Sequence, residues 1–191
     1  MASNKRDHLV KTAQDLFYQQ GFRATGIDTI LAASGVAKKT LYNHFKSKDE
    51  LIIATLHRRD EQFMLMLKGG VERLSQQQKS KVTLIPIMAF FDTLSEWFHS
   101  EKFNGCMFIN ASAEYPNNAD PIHVACAHHK QLVIQFIEHL LSDFISQNKP
   151  EISHQMAILA DGAIVNAHTT NDLNAASYAK LAAEKILLSY G

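Results

Sequence analysis

A short basic stretch in the first third of the chain concentrates side chains that could bind a polyanion. The sequence GVAKKTLYNHFKSKDEL, residues 35–51, sets cations, a hydroxyl, an amide and an imidazole among apolar anchors. Helical spacing turns Leu41 and Phe45 to one face, so the polar side chains face outward. Cations suit phosphate or guanine, and the other polar groups suit base edges or phosphate oxygens. The pattern therefore predicts a DNA-reading surface formed by Lys38, Lys39, Thr40, Asn43 and His44.

Three neighbouring residues extend this surface. Tyr42 can give its hydroxyl to a phosphate while its ring packs against the scaffold. Thr25 and Lys48 are expected at helix N-termini, where the helix dipole and free backbone amides favour phosphate. The alternative interpretation of the same pattern is a plain helical hairpin with a solvated basic face.

Two short helices separated by a glycine are expected to position the surface. Residues 27–34 and 38–45 have the lengths of a helix-turn-helix, and Gly35 permits the left-handed backbone of the turn between them. Leu41 is expected to pack the second helix onto the first. The partner surface is expected from Leu16, Phe17, Ile27, Ile30 and Leu31.

Capping residues mark where two of the helices start. Thr25, with Asp28 three residues later, is the predicted N-cap of the first short helix. Ser47 is the predicted N-cap of a long fourth helix. Asp49 and Glu50 stand in the first turn of that helix, where acids suit the macrodipole.

The rest of the chain is predicted to be helical as well. Proline occurs at four positions, and no long alternating stretch argues for a sheet. The pair Gly69–Gly70 is expected to end the fourth helix, and residues 75–81 form a polar linker. The fold class is therefore all-α, with about nine helices predicted at 5–20, 27–34, 38–45, 48–68, 82–99, a short segment after Gly105, 121–147, 151–170 and a last segment ending near Ser189.

Composition and charge limit the class of protein. The chain has 191 residues, 46% hydrophobic and 20% charged, which fits a soluble globular protein. No apolar run approaches the ~18 residues that a membrane span needs, and the N-terminus lacks the apolar segment of a secretory signal. Cys106 and Cys126 indicate no disulfide framework, so a cytoplasmic location is expected.

The charge is distributed unevenly along the chain. Residues 1–59 hold ten Lys/Arg against five Asp/Glu, whereas residues 60–191 hold nine against fourteen. The two parts therefore carry +5 and −5, although the whole chain is neutral. This asymmetry suggests a polyanion-binding head on a body with another task.

Residues 5–60 resemble the DNA-binding domain of TetR-type (TetR/AcrR) transcriptional regulators. The match runs through AQDLFYQQGFRATGIDTIL, SGVAKKTLYNHF and KSKDEL. It departs at Leu31, where the family often has alanine, and at Lys39, where glycine is frequent. The resemblance implies a helix-turn-helix DNA-binding domain at 1–47 and an all-helical ligand-binding and dimerisation domain at 48–191.

The resemblance also implies a function and partners. Homodimers of this family bind a palindromic double-stranded DNA operator and are released from it by a small-molecule effector, and a repressor is the leading interpretation. The alternative is a constitutive DNA-binding protein without an effector response. Two-fold symmetry is expected independently, because one short recognition helix reads only a few base pairs. The sequence shows neither a nucleophile–base set nor a phosphate-binding glycine loop, the features that would indicate an enzyme. No cofactor is expected.

The last two helices, about residues 151–189, are the predicted dimer interface. MAILADGAIVNAHTT is rich in small residues that allow close approach, and AASYAKLAAEKILL repeats the pattern. The alternative is that these residues pack only within the chain. The small residues of the first segment are Ala157, Ala160, Gly162, Ala163 and Ala167.

The middle of the chain holds much of the aromatic content, with polar groups interleaved. A mostly apolar cavity with a few polar groups is typical of small-molecule sites. The alternative is an ordinary core, since aromatic residues at helical spacing often pack inside. The predicted effector pocket consists of Phe91, Leu94, Trp97, Phe98, Met107, Asn110 and His128.

Cys106 is a candidate redox or electrophile sensor. It follows Gly105 at the expected start of a short helix, where free amides favour the thiolate. The GC step before MFINASAE resembles a subset of TetR-type regulators, some of which sense electrophiles or oxidants through a cysteine here. The alternative is a buried, inert thiol, as expected for Cys126. The histidines indicate no metal site, because the adjacent His128 and His129 point apart on a helix.

Overall fold

The computed structural model describes residues 2–77, 85–142, 145 and 147–190. Over that part of the chain the fold is all-α, with nine helices and no strand, which confirms the predicted fold class. The helices are α1 Ala2–Gln20, α2 Ile27–Ser34, α3 Lys38–His44, α4 Lys48–Gln77, α5 Ile85–Phe98, α6 Met107–Glu114, α7 Pro121–Leu140, α8 Lys149–Thr170 and α9 Ala175–Leu188.

Several helix ends differ from the prediction. α7 ends at Leu140 rather than at 147 and is followed by a turn. α8 begins at Lys149, two residues before the predicted start at 151. Pro150 fits in the first turn of the helix, because an N–H at that position would have no helical hydrogen-bond partner. Residues 78–81 of the predicted linker and 82–84 of the predicted fifth helix lie outside the described residues.

The fourth helix does not end at the glycine pair, so this prediction was wrong. α4 continues through Gly69 and Gly70 to Gln77. A Cβ built on Gly70 would lie 2.4 Å from Cγ2 and 3.1 Å from Cβ of Thr93 in α5, whereas a Cβ on Gly69 would meet nothing within 4 Å. The missing side chain of Gly70 therefore lets the two helices approach closely. This packing outweighs the low helix propensity of glycine.

We expect the two glycines to respond oppositely to alanine. Gly70→Ala should lower the free energy of unfolding by about 1–3 kcal/mol, because Thr93 is buried and cannot move aside. Gly69→Ala should raise it by about 0.5–1 kcal/mol, because alanine has the higher helix propensity. Urea denaturation followed by circular dichroism measures both changes. Equal effects of the two substitutions would contradict the packing role of Gly70.

The chain forms two compact units. Unit 1 consists of Met1–Gln62 and Met107–His129, and unit 2 consists of Phe63–Cys106 and Lys130–Gly191. Unit 1 thus holds the three N-terminal helices together with α6 and the first parts of α4 and α7. The predicted division between a DNA-binding part at 1–47 and a ligand-binding part at 48–191 concerns function and stays a prediction.

The core of unit 1 includes the region where α1 packs on α2 and α3. Ile30 and Leu41 are fully buried, and Phe17 stacks on Phe22 with ring centroids 5.2 Å apart. Full burial of one such side chain stabilises a fold by about 1.5–3 kcal/mol. The predicted core residues that are only half-buried are Leu16, Ile27 and Leu31.

Unit 2 contains α5, α8 and α9, which pack on one another. Trp97 meets Phe63 and Phe103 edge to face, with ring centroids 5.1 and 5.0 Å apart. Lys180 of α9 donates to both carboxylate oxygens of Asp92 of α5 at 2.7 Å. The alanines that α8 and α9 bury are Ala160, Ala163, Ala167, Ala175, Ala176, Ala179 and Ala183.

Among the described helices, none combines the length and the apolar character that a membrane crossing requires.

Candidate nucleic-acid interface

Gly35 makes the turn between α2 and α3. Its backbone is left-handed at φ +63°, and its N–H donates to the Leu31 carbonyl at 2.9 Å, which closes the end of α2. Ala37 then starts α3 from an extended conformation. On the inner side of the two helices, Leu41 and Ile30 are fully buried. The helix-turn-helix expected from the sequence is therefore present.

α3 presents a polar face to solvent. Lys38 Nζ lies 3.8 Å from Asp28 Oδ1 of α2, and both side chains are well exposed. Such a surface ion pair contributes little, so the lysine can exchange this partner for a phosphate. The exposed side chains of α3 are Lys38, Lys39, Tyr42 and Asn43, and the half-buried ones are Thr40 and His44.

Thr25 does not cap α2, and this prediction was wrong. The N-cap of α2 is Gly26, which makes no side-chain capping bond. Thr25 is fully buried, and its hydroxyl donates to the Gly21 carbonyl at 2.7 Å. The hydroxyl thus closes the turn after α1 instead of the start of the next helix. A contact between this side chain and a phosphate loses its structural support.

The N-terminus of α4 is capped as predicted. The Glu50 N–H donates to Ser47 Oγ at 3.2 Å, and the Glu50 carboxylate accepts the Lys46 N–H at 2.7 Å. This reciprocal arrangement resembles a capping box. It confirms Ser47 as the cap and places Lys48 in the first turn of the helix.

Lys48 is half-buried beside the turn that follows α1. Its Nζ donates to the Arg23 carbonyl at 3.4 Å and lies 5.9 Å from the ring centroid of Phe17. Burial lowers the pKa of the Lys48 ammonium, and the Glu114 and Asp49 carboxylates oppose that shift. Lys48 therefore has a structural role in unit 1 besides the predicted contact with phosphate.

Two cations near α3 were not among the predicted site residues. Lys46 is exposed directly after α3, and its place in the same basic stretch is the signal that could have found it. The Arg6 guanidinium lies 5.3 Å from the ring centroid of Phe45. No sequence pattern marks that pairing, because the two residues are far apart along the chain.

The residues predicted to line an effector pocket differ in their exposure. Asn110 is half-buried and His128 is exposed. The adjacent His129 is buried instead, with Nδ1 2.6 Å from Asp60 Oδ1 and its ring stacked on Phe108 at 3.6 Å between centroids. The sequence thus pointed to the histidine on the outer face of α7. The buried members of the predicted pocket are Phe91, Leu94, Trp97 and Phe98 in unit 2 and Met107 in unit 1.

Cys106 stands directly before the first residue of α6, as predicted. It is a free thiol, and only 5% of its surface is exposed. This burial favours the alternative of an inert thiol over a sensor that meets reagents from solvent. Cys126 is buried as well, as expected for a core position.

Sequence comparisons relate the chain to known proteins. Residues 9–55 match the model of the family described as bacterial regulatory proteins, tetR family. The HTH-type transcriptional activator FasR of Mycolicibacterium smegmatis is 26% identical over 160 residues, which are 84% of this chain and 67% of FasR. The HTH-type transcriptional repressor NemR of Escherichia coli is 26% identical over 110 residues, which are 57% of this chain and 53% of NemR. The chain thus spans about two thirds of one relative and about half of the other.

Solved structures share the fold. A TetR-family transcriptional regulator from Streptomyces coelicolor aligns with a TM-score of 0.85 and 29% identity, and the alignment covers 100% of this chain and 91% of that chain. The reduced form of Escherichia coli NemR aligns with a TM-score of 0.81 and 20% identity over 95% of this chain and 96% of NemR. A helix-turn-helix within an all-helical chain defines the class as a DNA-binding transcription regulator. Within that class, residues 9–55 match the TetR family of bacterial regulatory proteins, and a TetR-family regulator shares the fold over 100% of this chain.

Proposed function

We propose that this protein is a sequence-specific transcriptional regulator that binds a palindromic DNA operator as a homodimer. A small-molecule effector releases it, and it acts as a repressor. The observation that carries the proposal is the polar face of α3, which lies outward while Leu41 anchors the helix to unit 1. The charge of +5 over residues 1–59 supports the same assignment, because phosphate neutralisation supplies much of the affinity for DNA.

The exposed residues of α3 suit different parts of a DNA duplex. Lys38 and Lys39 supply cations for phosphate or guanine, and Asn43 can pair with an adenine edge. Tyr42 is 47% exposed, so its hydroxyl can reach a phosphate while part of its ring stays packed. Together they form a contact surface of one short helix, which matches a half-site of a few base pairs.

Selection of bound DNA from a random pool tests the proposal directly. A dimeric reader should select a palindromic consensus whose half-sites lie about one helical turn apart or a multiple of it. A single half-site, or no consensus, would contradict dimeric readout. Repeating the selection with a panel of small apolar and aromatic compounds separates the effector-released regulator from the constitutive alternative, which no compound releases.

The selected duplex allows the predicted phosphate contacts to be counted. Lys38→Ala and Lys48→Ala should each weaken binding about tenfold and reduce the slope of log K against log salt by about 0.9, because each removes one phosphate contact. Lys68→Ala is the control, since it removes an exposed lysine of α4 in unit 2 and should change neither quantity. Fluorescence anisotropy at several salt concentrations measures both. Unchanged slopes in both Lys38 and Lys48 variants would remove these contacts from the proposal.

Exposed apolar residues support a dimer through α8 and α9. Ile158 is 70% exposed, and Val165 lies two helical turns further along α8. A Cβ on Gly162, between them, would meet nothing within 4 Å, so this face is open to close approach. The buried alanines lie on the inner faces, so packing within the chain accounts for them. The exposed apolar residues of α9 are Tyr178, Leu181 and Leu188.

A charge on this face should separate the subunits. Ile158→Asp should raise the dimer dissociation constant about 100-fold or more, because an interface would bury an unpaired carboxylate. Leu65→Asp is the matched control, since Leu65 of α4 is 71% exposed and lies on another helix. Sedimentation velocity measures the association state of both variants. A dimeric Ile158→Asp, or dissociation by both variants, would place the interface elsewhere.

The direction of regulation and the effector belong to the proposal. FasR is a transcriptional activator and NemR is a transcriptional repressor, so the relatives include both kinds of regulator. The proposed effector is a small apolar or aromatic molecule, which suits the predicted lining residues. The thiol-reactive form of the effector, with Cys106 as its target, is the weaker variant of the proposal because Cys106 is buried.

A further inference from the structure

A single carboxylate holds the turn between α1 and α2. Oε1 of Glu114 accepts the backbone N–H of Phe22 at 2.9 Å, and Oε2 accepts that of Arg23 at 2.6 Å. Glu114 is the last residue of α6, so these bonds join distant parts of the chain within unit 1. We refer to Glu114 and these two N–H groups as the Glu114 clamp.

The clamp gives partners to two N–H groups that leave the helical pattern. The Gly21 N–H still donates to the Phe17 carbonyl at 3.0 Å, and the next two donate to Glu114. Phe22 is buried, and leaving a buried N–H unpaired costs about 1–3 kcal/mol. Hydrogen bonds to an ionised acceptor are also stronger than those between neutral groups.

Gly21 makes the approach of the carboxylate possible. Its φ is +89°, a conformation that strains any L side chain. A Cβ at this position would also lie 3.2 Å from Glu114 Oε1, which is tighter than ordinary contact. Both the backbone conformation and the space at the turn therefore depend on a glycine.

The clamped turn carries contacts to two further helices. Thr25, just before α2, donates its hydroxyl to the Gly21 carbonyl. Lys48, at the start of α4, donates to the Arg23 carbonyl. The clamp therefore fixes the segment from which α2 takes its position, and α2 and α3 are joined by the short turn at Gly35.

Charged side chains of both signs surround the clamp. The Arg23 guanidinium lies 5.3 Å from the ring centroid of Tyr115, and Lys48 lies beside the same turn. Burial, followed by the carboxylates of Asp49 and Glu114, raises the pKa of the Tyr115 hydroxyl, so Tyr115 stays neutral. An ionised carboxylate has only acceptor atoms, so it is the form of Glu114 that accepts both N–H groups.

We propose that Glu114 is a positioning residue for DNA recognition, because its two hydrogen bonds hold the α1–α2 turn and thereby hold α3 in its reading orientation. This inference rests on the proposed function. It gives the end of α6 a part in DNA binding, although the predicted contact residues lie elsewhere. Loss of the clamp lowers the fraction of molecules in which α3 has the orientation that binds DNA. The apparent affinity for DNA then falls by the same factor.

Neutralising Glu114 tests the proposal by the sign of its effect. In the full chain, Glu114→Gln leaves one N–H facing an amide NH₂ group, and affinity for the selected duplex should fall about tenfold. The salt slope should not change, because no phosphate contact is lost. Removing a carboxylate with no positioning role has the opposite effect, because it lowers repulsion of DNA.

A charge-matched control makes the comparison specific. Glu61→Gln removes an exposed carboxylate of α4, and this variant should bind as tightly as wild type or more tightly. If Glu114→Gln also binds as tightly as wild type or more tightly, the positioning role is overturned. If wild type selects no duplex at all, the proposed function fails, and the positioning role fails with it.

An NMR titration of wild type tests the hydrogen bonds without DNA and without a variant. The amide proton resonances of Phe22 and Arg23 should shift together as acid protonates Glu114. The amide of Gly21, which donates to a carbonyl, should not follow them. Absence of the shared titration overturns the clamp, and its presence supports the clamp even where Glu114→Gln does not fold.

Discussion

The burial of Leu41 and Phe45 is the constraint on which the DNA-reading surface depends. α3 has 7 residues, and a helix of about two turns is unstable in isolation. Its helical form therefore comes from packing on α1, with Leu41 fully buried. Because the two anchors point inward, Lys39 and Asn43 must point outward. The contacts that form the helix are thus the same contacts that select the side facing DNA.

Three glycines serve this molecule in physically different ways. Gly35 supplies a left-handed backbone and Gly70 supplies space for Thr93. Gly21 supplies both, because its φ is positive and Glu114 lies close to the position of its missing Cβ. A sequence marks each glycine with the same letter. Only the neighbours in space distinguish a turn from a close helix contact, which is why α4 runs through a pair that predicted its end.

The polar residues around the helix-turn-helix differ in how far along the chain their hydrogen-bond partners lie. Ser47 caps α4 through a bond to a residue three positions away, and such a local contact could be predicted. Thr25 turns inward to a carbonyl four residues earlier, against the prediction from its capping pattern. Glu114 reaches backbone groups 91 and 92 residues away, and no spacing in the sequence could indicate that.

The sequence by itself determined the helical class, the helix-turn-helix around Gly35 and the outward set of residues on α3. These features follow from helical periodicity and backbone conformation, which act over a few residues. The tertiary structure decided that Gly70 lies within a helix, that His129 rather than His128 is buried, and that Glu114 holds the turn after α1. Each of these depends on which distant helix lies beside the residue, and that is set by the packing of the whole unit.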